Sequence, residues 1–559
     1  HLTVAGAGQR DTTLLISAPR QAYASADPTR RTWGLFLPLY ALTTQQTWGS
    51  GDFTALGQLM TWVAQQGGGV VSTLPLLSAF LDTPCDPSPY TPASRLFWNE
   101  LYIDVTQAPG LATCPAAQAL LQSPMIQDAL DAARAAPRVD YPRQMALKRR
   151  ILEEVAQHFF TTMPEQHGAF QNYLTTHPYI EDYACFRATG ERQGTTWSAW
   201  PSPQRDGILT PADYDAKARQ YHLYVQWVAH TQFQAAARQG HQAGVQIYLD
   251  VPLGVHGQSY DVWRERDIFV PDAAGGAPPD AVFTRGQNWG FPPLHPEAMR
   301  TQQYRYCLAF LRHQMRGAGM LRLDHVMALH RLFWIPRGLE ARQGVYVRYH
   351  AEEWHALLCL ESHRHQVTLV GENLGTVPRY VNRTMARRRL QQMYVLQYEL
   401  GPDVTRLLHP LPAGVVASCN THDMVPLAAY WQGLDLVDLE AQGLLSPAEA
   451  QAAQQVRQRL LRVLQAFVLH QGWLHDATPP LQVEAVLQAC LRWLGASPAQ
   501  VILVNAEDLW LETQPQNFPG TSAERPNWQN KARYSLETWP QLASVRAALQ
   551  ALQRYRRRP

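Results

Sequence analysis

Residues 320–326 read MLRLDHV, a short apolar run that ends beside a carboxylate. Its length and its Met, Leu and Val content favour a buried β-strand. Side chains two residues apart on a strand share a face, so Arg322 and Asp324 point to one side while Leu321 and Leu323 point to the other. A charge at the end of a buried strand is costly unless it is paired or functional.

Seven further apolar runs resemble this one, and most of them follow a segment with helical periodicity. Continuous apolar strands that alternate with helices are typical of a parallel sheet covered on both faces. We therefore predict an α/β fold, a (β/α)8 TIM barrel. A doubly wound open sheet is the alternative, but its glycine-rich phosphate loop is missing, since the glycines at 67–69 precede a strand. The eight runs are 33–40, 70–77, 245–253, 320–326, 367–371, 393–398, 415–419 and 501–506.

The spacing of the eight runs is uneven. Long segments rich in helix formers separate the second run from the third and the seventh from the eighth. We interpret them as large helical insertions after strand 2 and strand 7, at approximately 78–240 and 430–497, within a catalytic barrel that spans 31–559. Residues 1–30 hold two short β-like runs, which cannot form a stable unit alone. We interpret them as the remnant of an N-terminal β domain or as a linker.

Two more carboxylates occupy the same place relative to their strands. Glu372 follows VTLVG, and Asp423 follows VVASCNTH. In a TIM barrel the carboxyl ends of the strands carry the site, so Asp324, Glu372 and Asp423 should share one pocket. A pair of carboxyl groups in one pocket is typical of enzymes that cleave glycosidic bonds. Each has a structural alternative: an Arg–Asp pair that locks the barrel, a Glu at a helix N-terminus, and an Asp that caps a helix.

The neighbours of these carboxylates suggest roles. Arg322 beside Asp324 should keep that carboxylate ionised, as a nucleophile requires. Glu372, held partly in apolar surroundings, should have a raised pKa and act as a general acid. His325 and His422 are candidate hydrogen-bond donors to substrate hydroxyls.

A metal-dependent hydrolase is a further alternative, because the histidines beside Asp324 and Asp423, together with His256, could suggest metal ligands. Neither an HxH pair on a strand nor an HExxH motif is present. We therefore predict no metal and no cofactor.

Two segments carry aromatic residues that have no obvious place in the core. The segment 276–296 (GAPPDAVFTRGQNWGFPPLHP) is too rich in Pro and Gly for a helix or strand, yet Phe283, Trp289 and Phe291 make it too apolar for a passive linker. We predict a lid or a binding wall. The Ser88-Pro89-Tyr90 loop is similar, with a tyrosine available to stack. The alternative for both is an aromatic loop folded onto the barrel rim.

The composition limits which kinds of binding partner and which cellular compartment we expect for this chain. A net charge of +2 over 559 residues favours neither nucleic acid nor a membrane surface as a partner. No stretch of 18 apolar residues and no secretory pattern is present, so we expect a cytoplasmic location. The seven cysteines are scattered without a CxxC pair, which fits buried thiols in a reducing compartment.

Taken together, the motifs of this chain resemble those of the 4-α-glucanotransferases of glycoside hydrolase family 77, called amylomaltases or disproportionating enzymes. The similarity is strongest to the longer bacterial maltodextrin-type members, in which an N-terminal β domain precedes the barrel. The matching segments are WGSGDF (48–53), SPYTPASRLFWNELYIDV (88–105), DYACFRATGE (182–191), WSAWP (197–201), DVPLGVHGQSYDVW (250–263), GAPPDAVFTRGQNWGFPP (276–293), RLDHVMALHRLFWIPRG (322–338), GENLGTVP (371–378), NTHD (420–423) and FPGTSAERPNW (518–528).

The resemblance implies a retaining transfer of α-1,4-glucan segments between maltodextrins, with maltooligosaccharides as donors and acceptors. It makes Asp324 the nucleophile, Glu372 the acid/base and Asp423 the carboxylate that stabilises the transition state. It implies substrate binding at Arg322, His325, His422, Tyr90, Ser88, Trp289, Asn373 and Gln258.

Two of these positions depart from the family pattern. Asn373 and Gln258 stand where members often carry an acidic residue, so this pocket should be less acidic than is usual in the family. The alternatives that stay open are an α-glucan hydrolase with the same barrel and a catalytically silent glucan-binding protein.

Overall fold

The computed structural model describes residues 2–6, 9–24, 31–81, 85–162, 167–280, 285–400, 411–474, 482–521 and 525–556. None of the helices in these ranges is long and apolar enough to cross a membrane. The strands are β1 (Leu2–Gly6), β2 (Gln9–Thr13), β3 (Thr32–Phe36), β4 (Val70–Ser72), β5 (Leu77–Ser78), β6 (Ser94–Trp98), β7 (Gln246–Val251), β8 (Ala273–Ala277), β9 (Gln287–Asn288), β10 (Met320–Leu323), β11 (Arg331–Pro336), β12 (Val345–Arg348), β13 (Thr368–Gly371), β14 (Gln391–Val395), β15 (Val415–Ser418) and β16 (Val501–Asn505). The α-helices are α1 (Phe53–Gln65), α2 (Pro115–Gln122), α3 (Pro124–Ala135), α4 (Tyr141–Thr162), α5 (His167–Thr176), α6 (Ile180–Gln193), α7 (Ala216–Gln242), α8 (Tyr260–Arg264), α9 (Pro296–Thr301), α10 (Arg305–Met315), α11 (Ala351–His365), α12 (Arg379–Arg388), α13 (Leu396–Glu399), α14 (Leu427–Gln432), α15 (Leu434–Ala441), α16 (Pro447–His470), α17 (Val483–Ala496) and α18 (Ala543–Arg556).

Eight parallel strands close into a barrel. Their order around the barrel is β3, β4, β7, β10, β13, β14, β15 and β16, and β16 pairs with β3 to complete the ring. Each of the eight apolar runs contributes one of these strands, so the predicted barrel is confirmed. The closed ring removes the open-sheet alternative.

The barrel interior explains why charged residues can end its strands. Side chains alternate between the two faces of a strand, so Asp250 follows the interior residue Tyr248, and Arg322 follows the interior residue Met320. The register places Arg322 opposite Asp250 on the neighbouring strand. The charged pair therefore lies one step above an apolar floor, toward the carboxyl end of the barrel. That floor consists of Val70, Tyr248, Met320, Val370, Val416 and Val501.

Local signals position the helices that surround the barrel. Asp52 precedes α1, and its side chain accepts a hydrogen bond from the backbone N–H of Ala55 at 2.8 Å. This cap satisfies one of the donors left free at the start of the helix. The glycine that follows the helix, Gly67, has a φ of 78° and turns the chain toward β4.

The two long segments between barrel strands are rich in helices. Helices α2 to α7 lie between β4 and β7, and α14 to α17 lie between β15 and β16. That they form inserted subdomains at approximately 78–240 and 430–497 stays a prediction. The origin of residues 1–30 also stays a prediction; β1 and β2 pair there as an antiparallel hairpin.

A second sheet lies outside the barrel and corrects one expectation. The order β12, β11, β8, β9 forms a four-stranded antiparallel sheet. The prediction that 276–296 contains neither helix nor strand was therefore wrong. Its glycines permit close pairing, because a Cβ on Gly276 would lie 2.2 Å from the carbonyl oxygen of Gln287. Phe283 lies outside the described residues.

Candidate active site

Polar side chains from several barrel strands converge at the carboxyl end of the barrel. Arg322 on β10 lies at the centre of the group. Its Nη1 donates to both carboxylate oxygens of Asp250, each at 2.8 Å, and lies 2.9 Å from Oδ1 of Asp324. The side chain of Asp250 is 5% exposed and that of Asp324 is 23% exposed. The guanidinium thus joins a buried carboxylate to one that is open to the cleft.

Tyr90 extends this group toward the end of β15. Its hydroxyl donates to Oδ2 of Asp250 at 2.7 Å and lies 2.7 Å from Nε2 of His422, on which its ring stacks. Nε2 of His422 in turn lies 3.2 Å from Oδ2 of Asp423. A continuous chain of contacts therefore runs from Asp324 through Arg322, Asp250, Tyr90 and His422 to Asp423.

Glu372 joins the same site through the backbone. Its Oε2 accepts from the N–H of His325, the residue after Asp324, at 3.0 Å, and its Oε1 accepts from the N–H of Leu374 at 2.6 Å. Burial raises the pKa of Glu372 to about 7; Arg322 opposes the rise, the charge of Asp324 adds to it, and the two N–H groups oppose it. A large fraction of Glu372 is therefore protonated near neutral pH.

The other two carboxylates have different acidities. Burial raises the pKa of Asp324 to about 6, although Arg322 acts in the opposite direction. The expectation that Arg322 keeps Asp324 ionised therefore left out the effect of burial, and Asp324 is mainly ionised only above about pH 6. Burial also disfavours the charge of Asp423, but His422 and a 2.8 Å hydrogen bond from Nδ2 of Asn517 lower its pKa to about 2.

Of the structural alternatives for the three carboxylates, the two helix-terminus roles are excluded and the Arg–Asp pair is observed. Helix α12 begins at Arg379, so Glu372 is not a residue of a helix N-terminus. Helix α14 begins at Leu427 after Pro426, so Asp423 does not cap it. The ion pair between Arg322 and Asp324 does exist, and Asp250 holds the same arginine.

Two predicted binding residues lie beside this group. The indole of Trp289 packs edge-to-face on His325, with ring centroids 5.1 Å apart, and its Nε1 donates to Oε1 of Gln287. The hydroxyl of Ser88 accepts from the backbone N–H of Tyr90 at 3.3 Å. Ser88 therefore shapes the turn that presents the tyrosine ring.

The two positions that depart from the family pattern make contacts within the protein. Oδ1 of Asn373 accepts from the N–H of Met393 at 2.9 Å, and its Nδ2 donates to Oδ1 of Asn382 at 3.0 Å. Oε1 of Gln258 accepts from the N–H of Ser198 at 3.4 Å. The structure does not bring Gln258 into the chain of contacts, and substrate binding by either residue stays a prediction.

One of the histidines considered as metal ligands, His256, is engaged within its own loop. Nδ1 of His256 accepts from the backbone N–H of Gln258 at 3.0 Å. In the part of the chain that the structure describes, no three or more His, Cys, Asp or Glu side chains are grouped as metal ligands would be.

Comparison with known proteins decides the family. The model of the 4-alpha-glucanotransferases, glycoside hydrolase family 77, matches residues 37–537. The 4-alpha-glucanotransferase of Mycobacterium tuberculosis strain H37Rv is 34% identical over 529 residues, which cover 89% of this chain and 71% of that protein. The chain belongs to the 4-alpha-glucanotransferases. The resemblance inferred from the sequence is confirmed, and the activity of the family is transfer of α-glucan segments.

Further relatives of this 4-alpha-glucanotransferase agree. The 4-alpha-glucanotransferase of Haemophilus influenzae is 29% identical, over 93% of this chain and 78% of that protein. The structure of amylomaltase from Corynebacterium glutamicum superposes with a TM-score of 0.84 at 24% identity, covering 94% of this chain and 75% of that one. Amylomaltase from Streptococcus agalactiae, solved in complex with acarbose, gives 0.75 at 19% identity, covering 95% and 100%. At these identities the two structures support the fold alone.

Sequence reasoning missed three residues of this candidate site. Asp250 lies near the carboxyl end of the apolar run 245–253, just as Asp324 lies near the end of the run 320–326. The strand-end rule that identified Asp324 could therefore also have identified Asp250. Asn517 had no signal, because it lies far along the chain from Asp423. The indole of Trp528 lies 5.7 Å from the ring of Tyr90, and although its segment matched the family, its place beside that tyrosine is set by tertiary structure.

Replacing Asp250 by Asn should shift the acidic limb of the pH–rate profile downward by about one unit. The charge of Asp250 raises the pKa of Asp324, and its loss leaves Arg322 to act more fully on Asp324. The limb is read from initial rates of glucan transfer between pH 4 and pH 9. Tyr90→Phe is the control, because it removes a hydrogen bond to Asp250 without changing the charge. If the acidic limb lay at the same pH in the wild type and in the Asp250→Asn variant, the ionisation of Asp324 would not set that limb.

Proposed function

We propose that this 4-alpha-glucanotransferase works by a retaining double displacement on α-1,4-glucans. Asp324 attacks the anomeric carbon of the donor glucose while Glu372 transfers its proton to the departing glycosidic oxygen. The C–O bond of the donor breaks, a glucosyl ester of Asp324 forms, and the shortened glucan leaves with the proton.

The second displacement reverses the roles of these groups. Glu372, now a carboxylate, removes the proton from the 4-hydroxyl of an acceptor glucan, whose oxygen attacks the same anomeric carbon. The ester bond to Asp324 breaks, and the carboxylate is restored. Two inversions return the α configuration, and both catalytic groups recover their initial protonation.

The unequal acidities of the three connected carboxylates carry this proposal. A nucleophile must be ionised, and the pKa of Asp324 is about 6; a general acid must hold a proton near neutral pH, and that of Glu372 is about 7. Asp423, with a pKa of about 2, keeps a permanent negative charge for the positive charge that develops on the sugar ring. The three pKa values lie in the order that these roles need, with the general acid the highest and the stabilising carboxylate the lowest.

The neighbouring groups support a role in binding sugar. The side chain of Asp423 is 42% exposed, so its oxygens can accept hydrogen bonds from glucose hydroxyls in addition to those from Asn517 and His422. The rings of Tyr90 and Trp289 suit stacking on the apolar faces of glucose units. We assign maltooligosaccharides as both donors and acceptors on this basis.

Incubation of the enzyme with maltotriose alone tests the proposal. Transfer converts maltotriose into glucose together with maltopentaose and longer chains, whereas hydrolysis gives glucose and maltose only. Products are separated by chromatography and the anomeric configuration is followed by proton NMR at early times. Glucose and maltose without longer chains would overturn transfer, and products of β configuration would overturn retention.

Replacing Trp289 by Ala should raise the ratio of hydrolysis to transfer by about tenfold. The indole packs on His325 beside the nucleophile, where it would exclude water from the glucosyl-enzyme and support the acceptor. The ratio is measured as the gain in total reducing ends, which only hydrolysis produces, relative to longer chains formed from maltotriose. Trp473→Ala is the matched control, because it removes an indole that packs on Tyr555 instead. An unchanged ratio in the Trp289→Ala variant would count against the segment 276–296 acting as a lid over the glucosyl-enzyme.

A further inference from the structure

A largely apolar cavity lies outside the barrel, behind the proposed nucleophile. Its walls are the outer faces of β7 and β10 on one side and helices α10 and α11 on the other, and the segment after β9 also lines it. About 80 Å³ are open to the centre of a water-sized sphere. One water needs roughly 10–15 Å³ by this measure, so the cavity has room for a molecule of several heavy atoms. Representative lining residues are Val251, Phe291, Phe310, Leu323, Trp354 and Leu358.

Arg95 brings a buried positive charge into this apolar wall. Arg95 is 2% exposed; its Nη1 donates to the carbonyl of Leu253 at 3.0 Å, and its Nε donates to the hydroxyl of Tyr306 at 3.1 Å. Its Nη2 is buried and has no hydrogen-bond acceptor among the described residues. A buried donor without an acceptor costs free energy, and the cost is larger for a charged group.

No carboxylate in the described ranges forms an ion pair with the Arg95 guanidinium. Asp261 is nearby, but its oxygens accept from the hydroxyls of Ser94 and Tyr306, each at 2.5 Å, and from the backbone N–H of Arg95 at 2.8 Å. A ligand that brought an anionic oxygen to Nη2 would supply both a missing acceptor and a direct counter-charge.

We propose that this cavity is a binding site for a small aliphatic or aromatic carboxylate, with the carboxylate on Arg95 and the apolar body between the barrel wall and helices α10 and α11. The aromatic ring of Phe310, 4.0 Å from the Arg95 guanidinium carbon, and the leucines around it supply contacts for the apolar body. The ligand replaces empty space by dispersion contacts and removes apolar surface from water. This site adjoins the sugar cleft at the end of β10, where Asp324 and His325 line it, whereas Tyr90, His422 and Asp423 do not.

Hexanoate, hexan-1-ol and hexylammonium are the probes. They share one apolar body and differ in the charge of the head. Binding to the full chain is measured by isothermal titration calorimetry at millimolar probe concentrations. Hexanoate should bind saturably, hexan-1-ol about tenfold more weakly, and hexylammonium not at all. The absence of saturable hexanoate binding would overturn the proposal, as would equal affinity for all three probes.

Two substitutions locate the bound probe. Leu358→Trp fills the cavity from α11 and should weaken hexanoate binding at least about tenfold, while Leu444→Trp, at an exposed position, should leave it unchanged. Arg95→Met should remove the preference for hexanoate over hexan-1-ol. Thermal unfolding shows which variants are folded, and the probe series on the wild type does not depend on either. Unchanged hexanoate binding in folded Leu358→Trp protein would overturn the location.

A competition experiment separates this site from the sugar cleft. It uses Glu372→Gln protein, which lacks the proposed proton donor, so that maltotriose binds without rapid turnover. Hexanoate affinity should be the same with and without saturating maltotriose. Displacement by maltotriose would place the probe in the sugar cleft and overturn the proposal. All these readouts are binding constants, so their failure would leave the proposed transfer reaction untouched.

Discussion

Replacing Asp324 by Asn is expected to lower the rate of glucan transfer by at least about 10⁴-fold. Asn has nearly the same shape, but its amide cannot form the glucosyl ester that the first displacement requires. The fold should persist, because Arg322 keeps both hydrogen bonds to Asp250 and so retains a buried counter-charge. The rate is measured as free glucose released from maltotriose, and the fold is monitored by thermal unfolding.

Two controls make the Asp324 result specific. Asp128→Asn makes the same chemical change at an exposed position of α3 and should retain full activity. Asp324→Gly with α-glucosyl fluoride and azide should give β-glucosyl azide, because azide then attacks from the face that the carboxylate occupied. An α-glucosyl azide product, or substantial transfer by the Asn variant, would show that another group is the nucleophile.

The barrel could be predicted because its strands are buried on both sides. The sequence of such a strand is a nearly continuous apolar run, so each of the eight strands can be recognised in the sequence without knowledge of its neighbours. The outer sheet was missed for the opposite reason. Strand β8 reads AAGGA, which has low strand propensity. It forms because glycine allows close approach: a Cβ on Gly275 would lie 2.3 Å from the ring of Phe291.

The site was predictable where a residue and its strand are neighbours in sequence. Asp324 and Glu372 follow their strands directly, so strand position alone brings them together. The contact between Tyr90 and His422 joins residues 332 positions apart, and no local pattern predicts it. The pKa of Asp324 shows the same limit, since the arginine two residues away is visible in the sequence whereas burial depends on the whole fold.

Replacing Glu372 by Gln is expected to lower transfer from maltotriose by about 10³-fold and to remove the basic limb of the pH–rate profile. Glu372, with a pKa of about 7, donates a proton in the first displacement, so activity falls as the pH rises through that value. Asp324 must be ionised, so activity also falls as the pH drops below about 6. The wild type should therefore be most active in a narrow range between about pH 6 and pH 7, with limbs that belong to the coupled pair.

The glutamine variant separates these two limbs, because it has no proton to lose at position 372 while Asp324 still titrates. Its profile should rise through about pH 6 or below and then stay level. With α-glucosyl fluoride the first displacement should be far less impaired than with maltotriose, since fluoride leaves with little help from an acid. Glu340→Gln, an exposed change of the same kind, should keep both limbs. A basic limb that survived in Glu372→Gln would transfer the role of proton donor to another group of the contact chain, with His422 the first candidate.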